Sequence, residues 1–172
     1  MFLNPKLFIL PQDEIKAAGH QNLTYGSLTT KGLKKLSETI QSIIPSQIYG
    51  FDLGCGDGEL IFHLTHSLAE STWEGVEISE WRLSTATRPV TIWSGNMLEE
   101  NFRPYNVLHA DNLCLEDNVA DKLEEKIVRE FNGLYISYRT PQNLSFLQKA
   151  TLVNIVEIET TWTKHPIRFY ML

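Results

Sequence analysis

Long apolar runs are missing from this 172-residue sequence. No stretch approaches the roughly 20 apolar residues that a membrane-spanning helix needs. Cysteine is scarce: Cys55 and Cys114 stand alone, with no C-x-x-C pair suited to a metal. Two reduced thiols in an intracellular protein is the reading that follows, with no metal site expected. Met1–Pro11 holds one lysine and no small-residue cleavage site, which makes it a poor signal peptide. Positive charge is in deficit as well, since 15 Lys and Arg against 21 Asp and Glu leave a formal net charge of −6. Proteins that grip nucleic acid by its phosphates carry a basic face. The basic cluster here, Lys31, Lys34 and Lys35, reads as a solvated helix face, so strong autonomous binding to DNA or nucleosomes is not expected.

What is present is an ordinary globular composition, 42% hydrophobic and 21% charged, of a length that suits one compact unit. Residues 1–44 read as an N-terminal segment plus a capping helix, and 45–172 as the main core. A short helical candidate runs from Asp13 to Ala18. Thr29 or Thr30 caps a helix with Leu33, Leu36, Ile40 and Ile43 on one face, and Pro45 stops it. Strand and helix patterns then alternate. Strands are expected at Ile48–Leu53, Trp73–Ile78, Val90–Trp93, Tyr105–Ala110 and Gly133–Tyr138. Helices are expected around Leu60–Leu68, Ser79–Thr87 and Val119–Phe131. Two β-rich runs close the chain, Leu152–Thr160 and Ile167–Leu172, spaced as an antiparallel pair. The fold class is therefore α/β, an open Rossmann-like sheet with a terminal antiparallel hairpin. Such sheets bind ligands at the carboxyl ends of their strands, where the strand order reverses.

The most informative segment is Phe51-Asp52-Leu53-Gly54-Cys55-Gly56-Asp57-Gly58-Glu59, which follows a strand and opens a helix. Gly54 and Gly56 permit a sharp turn and close approach of backbone to a ligand. A glycine loop alone would also suit a dinucleotide. Asp52 and Asp57 argue against that, because they would repel a pyrophosphate while suiting the sulfonium and ammonium of S-adenosylmethionine (SAM). Glu77 ends the second strand, where an acid can accept hydrogen bonds from ribose hydroxyls. Asn96 stands in the next loop, where its amide oxygen can accept a bond from an adenine amine, and Met97 can pack on the adenine face. This pattern resembles the first motifs of the class I SAM-dependent methyltransferases, whose sheet has seven strands.

A narrower resemblance is carried by Tyr25-Gly26-Ser27-Leu28-Thr29, by Asp111-Asn112-Leu113-Cys114-Leu115 and by Trp162 to Tyr170. Together they resemble the disruptor-of-telomeric-silencing (DOT-type, non-SET) family, which methylates a lysine of the histone core. The resemblance implies that Tyr25 and Thr29 close over SAM, that Asn112 sits where the methyl group passes, and that Trp162 and Phe169 line a lysine channel. It implies a protein substrate, a histone or nucleosome among the candidates, and a nuclear or chromatin location in that case and a cytoplasmic one otherwise. A methyltransferase of another protein or a small molecule, and a non-catalytic SAM-binding module, stay open. So does a homodimer.

Overall fold

The structure, a computed structural model, describes residues 11–14, 28–161 and 163–172. The expected helix at Asp13–Ala18 falls mostly outside that range, as do Tyr25 and Trp162. Among the described residues, no helix is long and apolar enough to cross a membrane.

Helix α1 spans Thr30–Ile43. The Thr29 hydroxyl accepts from the Gly32 amide and caps it. Leu33, Leu36 and Ile40 recur at helical spacing and are buried. Ile44, ahead of Pro45, leaves the helical region, as the proline ring demands of its predecessor. Strand β1 (Ile48–Leu53) follows, then α2 (Glu59–Ser67), β2 (Ser71–Glu77), α3 (Glu80–Ser84), β3 (Thr91–Ser94) and β4 (Val107–Ala110). Helix α4 (Asp117–Glu130), β5 (Leu134–Ser137), α5 (Leu144–Lys149), β6 (Thr151–Glu159) and β7 (Lys164–Met171) complete the chain.

The seven strands form one sheet in the order β3-β2-β1-β4-β5-β7-β6. The first five run parallel, and β7 inserts antiparallel between β5 and β6. The central strands β4 and β5 are buried along their whole length, as parallel strands covered on both faces must be. One apolar cluster joins α1, α2 and one sheet face; a second joins α4, α5 and the other. The chain order reverses between β1 and β4, which opens a crevice above their carboxyl ends.

The differences from expectation are local. β4 starts at Val107 rather than Tyr105. Asn106 is used instead to tie the neighbouring strand, accepting from the Tyr49 amide and donating to the Gln47 carbonyl. Helix α3 ends at Ser84, short of the expected Thr87. β7 begins three residues earlier than expected and runs through Pro166. Helix α5 was not foreseen. Its signal was Asn143, whose side chain accepts from the Phe146 amide and starts the helix.

Candidate functional site: a cleft at the strand-order switch

Three glycines shape the loop after β1. Gly54, Gly56 and Gly58 have φ of 85°, 58° and 78°, the left-handed region that glycine enters at least cost. Gly54 is the telling one, because a Cβ added there would meet no protein atom within 4 Å. The backbone is therefore bare toward open space, and that space is a cleft of about 230 Å³. Ligand pockets of this kind lie at the switch points of α/β sheets.

The cleft is lined by the ends of four strands. From β2 comes Glu77, buried, whose two carboxylate oxygens accept from the Gly56 amide at 3.0 Å and the Ser79 amide at 2.9 Å. Burial pushes its carboxyl above the ordinary 4.5, while those amides and the Arg82 guanidinium pull it back. Arg82 lines the same wall, 3.8 Å from Glu77. Ile78 leaves 52% of its surface exposed and also lines the cleft. From the loop after β3 come Asn96 and Met97, with Leu98 beside them. The Asn96 side-chain oxygen accepts from the Leu98 amide and fixes that turn. Leu115 and Val119 form the wall on the α4 side. The result is an apolar slot with an amide at its rim and a carboxylate at its inner end.

The loop after β4 contributes Asp111 and Asn112. Asn112 is buried, and its side-chain amide is fully engaged. Nδ2 donates to the Tyr135 hydroxyl and Ser137 Oγ, and Oδ1 accepts from the Tyr138 and Arg139 amides. Those bonds lock the loop to the end of β5. Asp111 is instead exposed on the cleft. Desolvation on its inner side pushes its carboxyl up and the Asp52 charge adds to that, whereas His109, the Leu113 amide and His165 act the other way.

Behind this loop lies a buried network that the sequence reading missed. His109 Nδ1 bonds Asp52 at 2.7 Å and Nε2 bonds the Tyr138 hydroxyl at 3.0 Å. His165 of β7 stacks near the Tyr138 ring and bonds its backbone carbonyl. The ends of β1, β4, β5 and β7 are thereby wired together. The register of β1 on β4 sets Asp52 beside His109, a pairing that appears only once the sheet is formed.

Of the residues singled out from sequence, Gly54, Glu77, Asn96, Met97 and Asn112 line the cleft, and Gly56 supports Glu77. Asp52 and Asp57 do not face it. Asp52 turns to His109. Asp57 accepts from the Glu59 amide at the start of α2, with its carboxyl raised by burial. Thr29 caps α1 and donates to Glu159, a helix-capping role in place of the expected cofactor contact. Phe169 is a correction too. It is fully buried in the core beside Ile136 and Ile167, because its β7 position points to the face covered by α1 and not to a channel. Asn112 lines the cleft as expected, and its side-chain amide also fastens the loop to the end of β5.

No family model matches the sequence, and no curated protein matches it. The fold does match solved structures, and it is that of the class I SAM-dependent methyltransferases. The chain is similar to magnesium protoporphyrin IX methyltransferase of Synechocystis PCC 6803, crystallised with bound S-adenosylhomocysteine (SAH), at a TM-score of 0.58, 11% identity and 93% coverage of both chains. It is similar to the PH0226 protein of Pyrococcus horikoshii OT3, at a TM-score of 0.61 and 14% identity over 81% of this chain and 88% of that one. It also resembles DesVI of Streptomyces venezuelae, at a TM-score of 0.52 and 15% identity, spanning 74% of its own length and 59% of DesVI.

Proposed function

We propose that this chain is a SAM-dependent methyltransferase. The observation that carries the reading is the pairing, in one cleft, of a bare Gly54 backbone with the buried Glu77 carboxylate. The residues present suit the group. Glu77 has a lone pair left on each oxygen for the ribose hydroxyls. Ile78, Met97, Leu115 and Val119 offer apolar walls for a flat base, and Asn96 offers an amide at its edge. The open Gly54 lets the amino-acid part of the cofactor lie against backbone. Bound SAM supplies a methyl group activated by its sulfonium charge. The protein's part is alignment of an acceptor with that methyl in a partly dry cleft, with no acid–base pair required by the chemistry itself.

The lysine acceptor implied by the DOT-type resemblance, with a histone among its targets, rests on Tyr25 and Trp162, which lie outside the described residues. Phe169 is buried in the core, and Asn112 lines the cleft with its side-chain amide engaged by the end of β5. The test is incubation of the purified protein with methyl-labelled SAM and a cell lysate, core histones and nucleosomes in parallel. Transfer to any acceptor, lost in a folded Glu77→Ala variant, is the expected outcome. A folded protein that binds SAM and labels nothing would leave a SAM-binding module.

A further inference from the structure

Resting on the methyl-transfer reading above, we propose that Asp111 receives the acceptor and that the acceptor is a basic amine. Strand order supplies the first argument. Glu77 ends β2 and Asn96 follows β3, on one side of β1, so an adenosine held by them would lie that way. Asp111 follows β4, on the opposite side of β1. With adenosine held there, the methyl-bearing end of the cofactor and its acceptor would lie toward Asp111.

Charge supplies the second argument. Among the described residues, Glu77 and Asp111 are the acids that line the cleft and Arg82 is the one base that does. Arg82 sits beside Glu77 at the adenosine end. At the other end Asp111 lines the cleft, and among the described residues no Lys or Arg lines it beside that carboxylate. A phenolate, carboxylate or phosphate acceptor would be repelled there, whereas an ammonium would be drawn in and held by a charge-assisted hydrogen bond. The net charge of −6 points the same way for the approach of a cationic acceptor.

The third argument is geometry behind the loop. Asn112 is locked to β5, and the Leu113 amide donates to Asp111. The carboxylate is thus held at the rim by its neighbours instead of wandering. His109 and His165 stand near it, and Asp52 lies behind His109. An acceptor ammonium sheds one proton to the Asp111 carboxylate, which passes it to water. The freed nitrogen lone pair forms the N–C bond as the S–C bond breaks, and that bond's electron pair stays on sulfur as a neutral thioether.

The experiment compares wild type, Asp111→Asn and Asp111→Glu. SAM affinity is read by calorimetry, as is the affinity of the SAH complex for spermidine and for Nα-acetyllysine. Label transfer from SAM is read with those two amines, with a phenol and a carboxylic acid of similar size, and with a lysate. In the lysate, chromatography of the hydrolysed product shows whether the label sits on nitrogen, oxygen or sulfur, and base-labile label marks a methyl ester. The expected result is label on nitrogen, amine binding to the SAH complex weakened about 30-fold in Asp111→Asn, and partial rescue in Asp111→Glu, with SAM affinity within about 3-fold of wild type. Equal loss of SAM affinity in Asp111→Asn would overturn the proposal by making Asp111 a cofactor ligand. So would transfer to the phenol or the acid that ignores Asp111, or SAM binding with no amine bound or methylated. Failure of the folded wild type to bind SAM at all would instead remove the methyl-transfer reading itself.

Discussion

The two ends of the cleft are built differently. The end assigned to adenosine takes Gly54, Glu77 and Asn96 from three successive strand-end loops, where backbone amides hold the side chains: Gly56 and Ser79 donate to Glu77, and Leu98 donates to Asn96. The end assigned to the acceptor rests mainly on bonds between side chains: Asp52 with His109, His109 with Tyr138, Asn112 with Tyr135 and Ser137, and His165 with the Tyr138 carbonyl. Backbone loop chemistry makes the first end, and a side-chain network makes the second. Binding of the cofactor and choice of the acceptor should therefore separate in mutants.

The largest expected effect concerns a residue that the second end does not use. Phe169→Ala removes a fully buried ring from the core and should cost roughly 3–5 kcal/mol of stability, read as a shift of the denaturant midpoint. A channel residue would instead leave stability near wild type and alter acceptor KM. Next is Gly54→Ala. The added methyl meets no protein atom, so the cost to the fold is the strain of a left-handed alanine, about 1 kcal/mol. SAM affinity should fall by about 100-fold, because the methyl occupies ligand space. Loss of stability without loss of affinity would show that the bare backbone faces nothing functional.

A smaller effect comes from pH. Burial raises the Glu77 carboxyl above 4.5, so in the folded protein it takes up its proton at a higher pH than in the unfolded chain. Folding stability from this group is present below the unfolded value and declines as pH rises through the folded one. Ligand affinity should move oppositely. As pH falls through the raised value, Glu77 loses the charge with which it would accept from a ribose, and SAM binding should weaken at a pH where an ordinary glutamate is still ionised. Titrating SAM affinity against pH in wild type and Glu77→Gln checks this, since the variant should lose the acid inflection.

The same contrast explains what could be read from the sequence. The strand–helix alternation, the antiparallel terminal pair and the adenosine-end residues follow from local patterns: the helical spacing of Leu33, Leu36 and Ile40, the glycines after Leu53, the acid at the end of β2. Phe169 was misplaced because alternation along a strand gives two faces but not which helix covers each. The fastening bonds of Asn112 were not legible because their partners lie in and just after β5, 23 to 27 residues away. His109 passed unnoticed because a lone histidine inside a buried strand has no meaning until register sets it against Asp52. Helix α5, six residues long, is too short for periodicity to reveal.

The central claim is that the cleft holds SAM, and calorimetric titration of the purified protein with SAM and with SAH tests it most directly. Saturable binding of both at one site per chain, weakened about 100-fold in a folded Glu77→Ala variant, is the expected result; a folded wild-type protein that takes up neither, or a Glu77→Ala variant that binds as well as wild type, would contradict it.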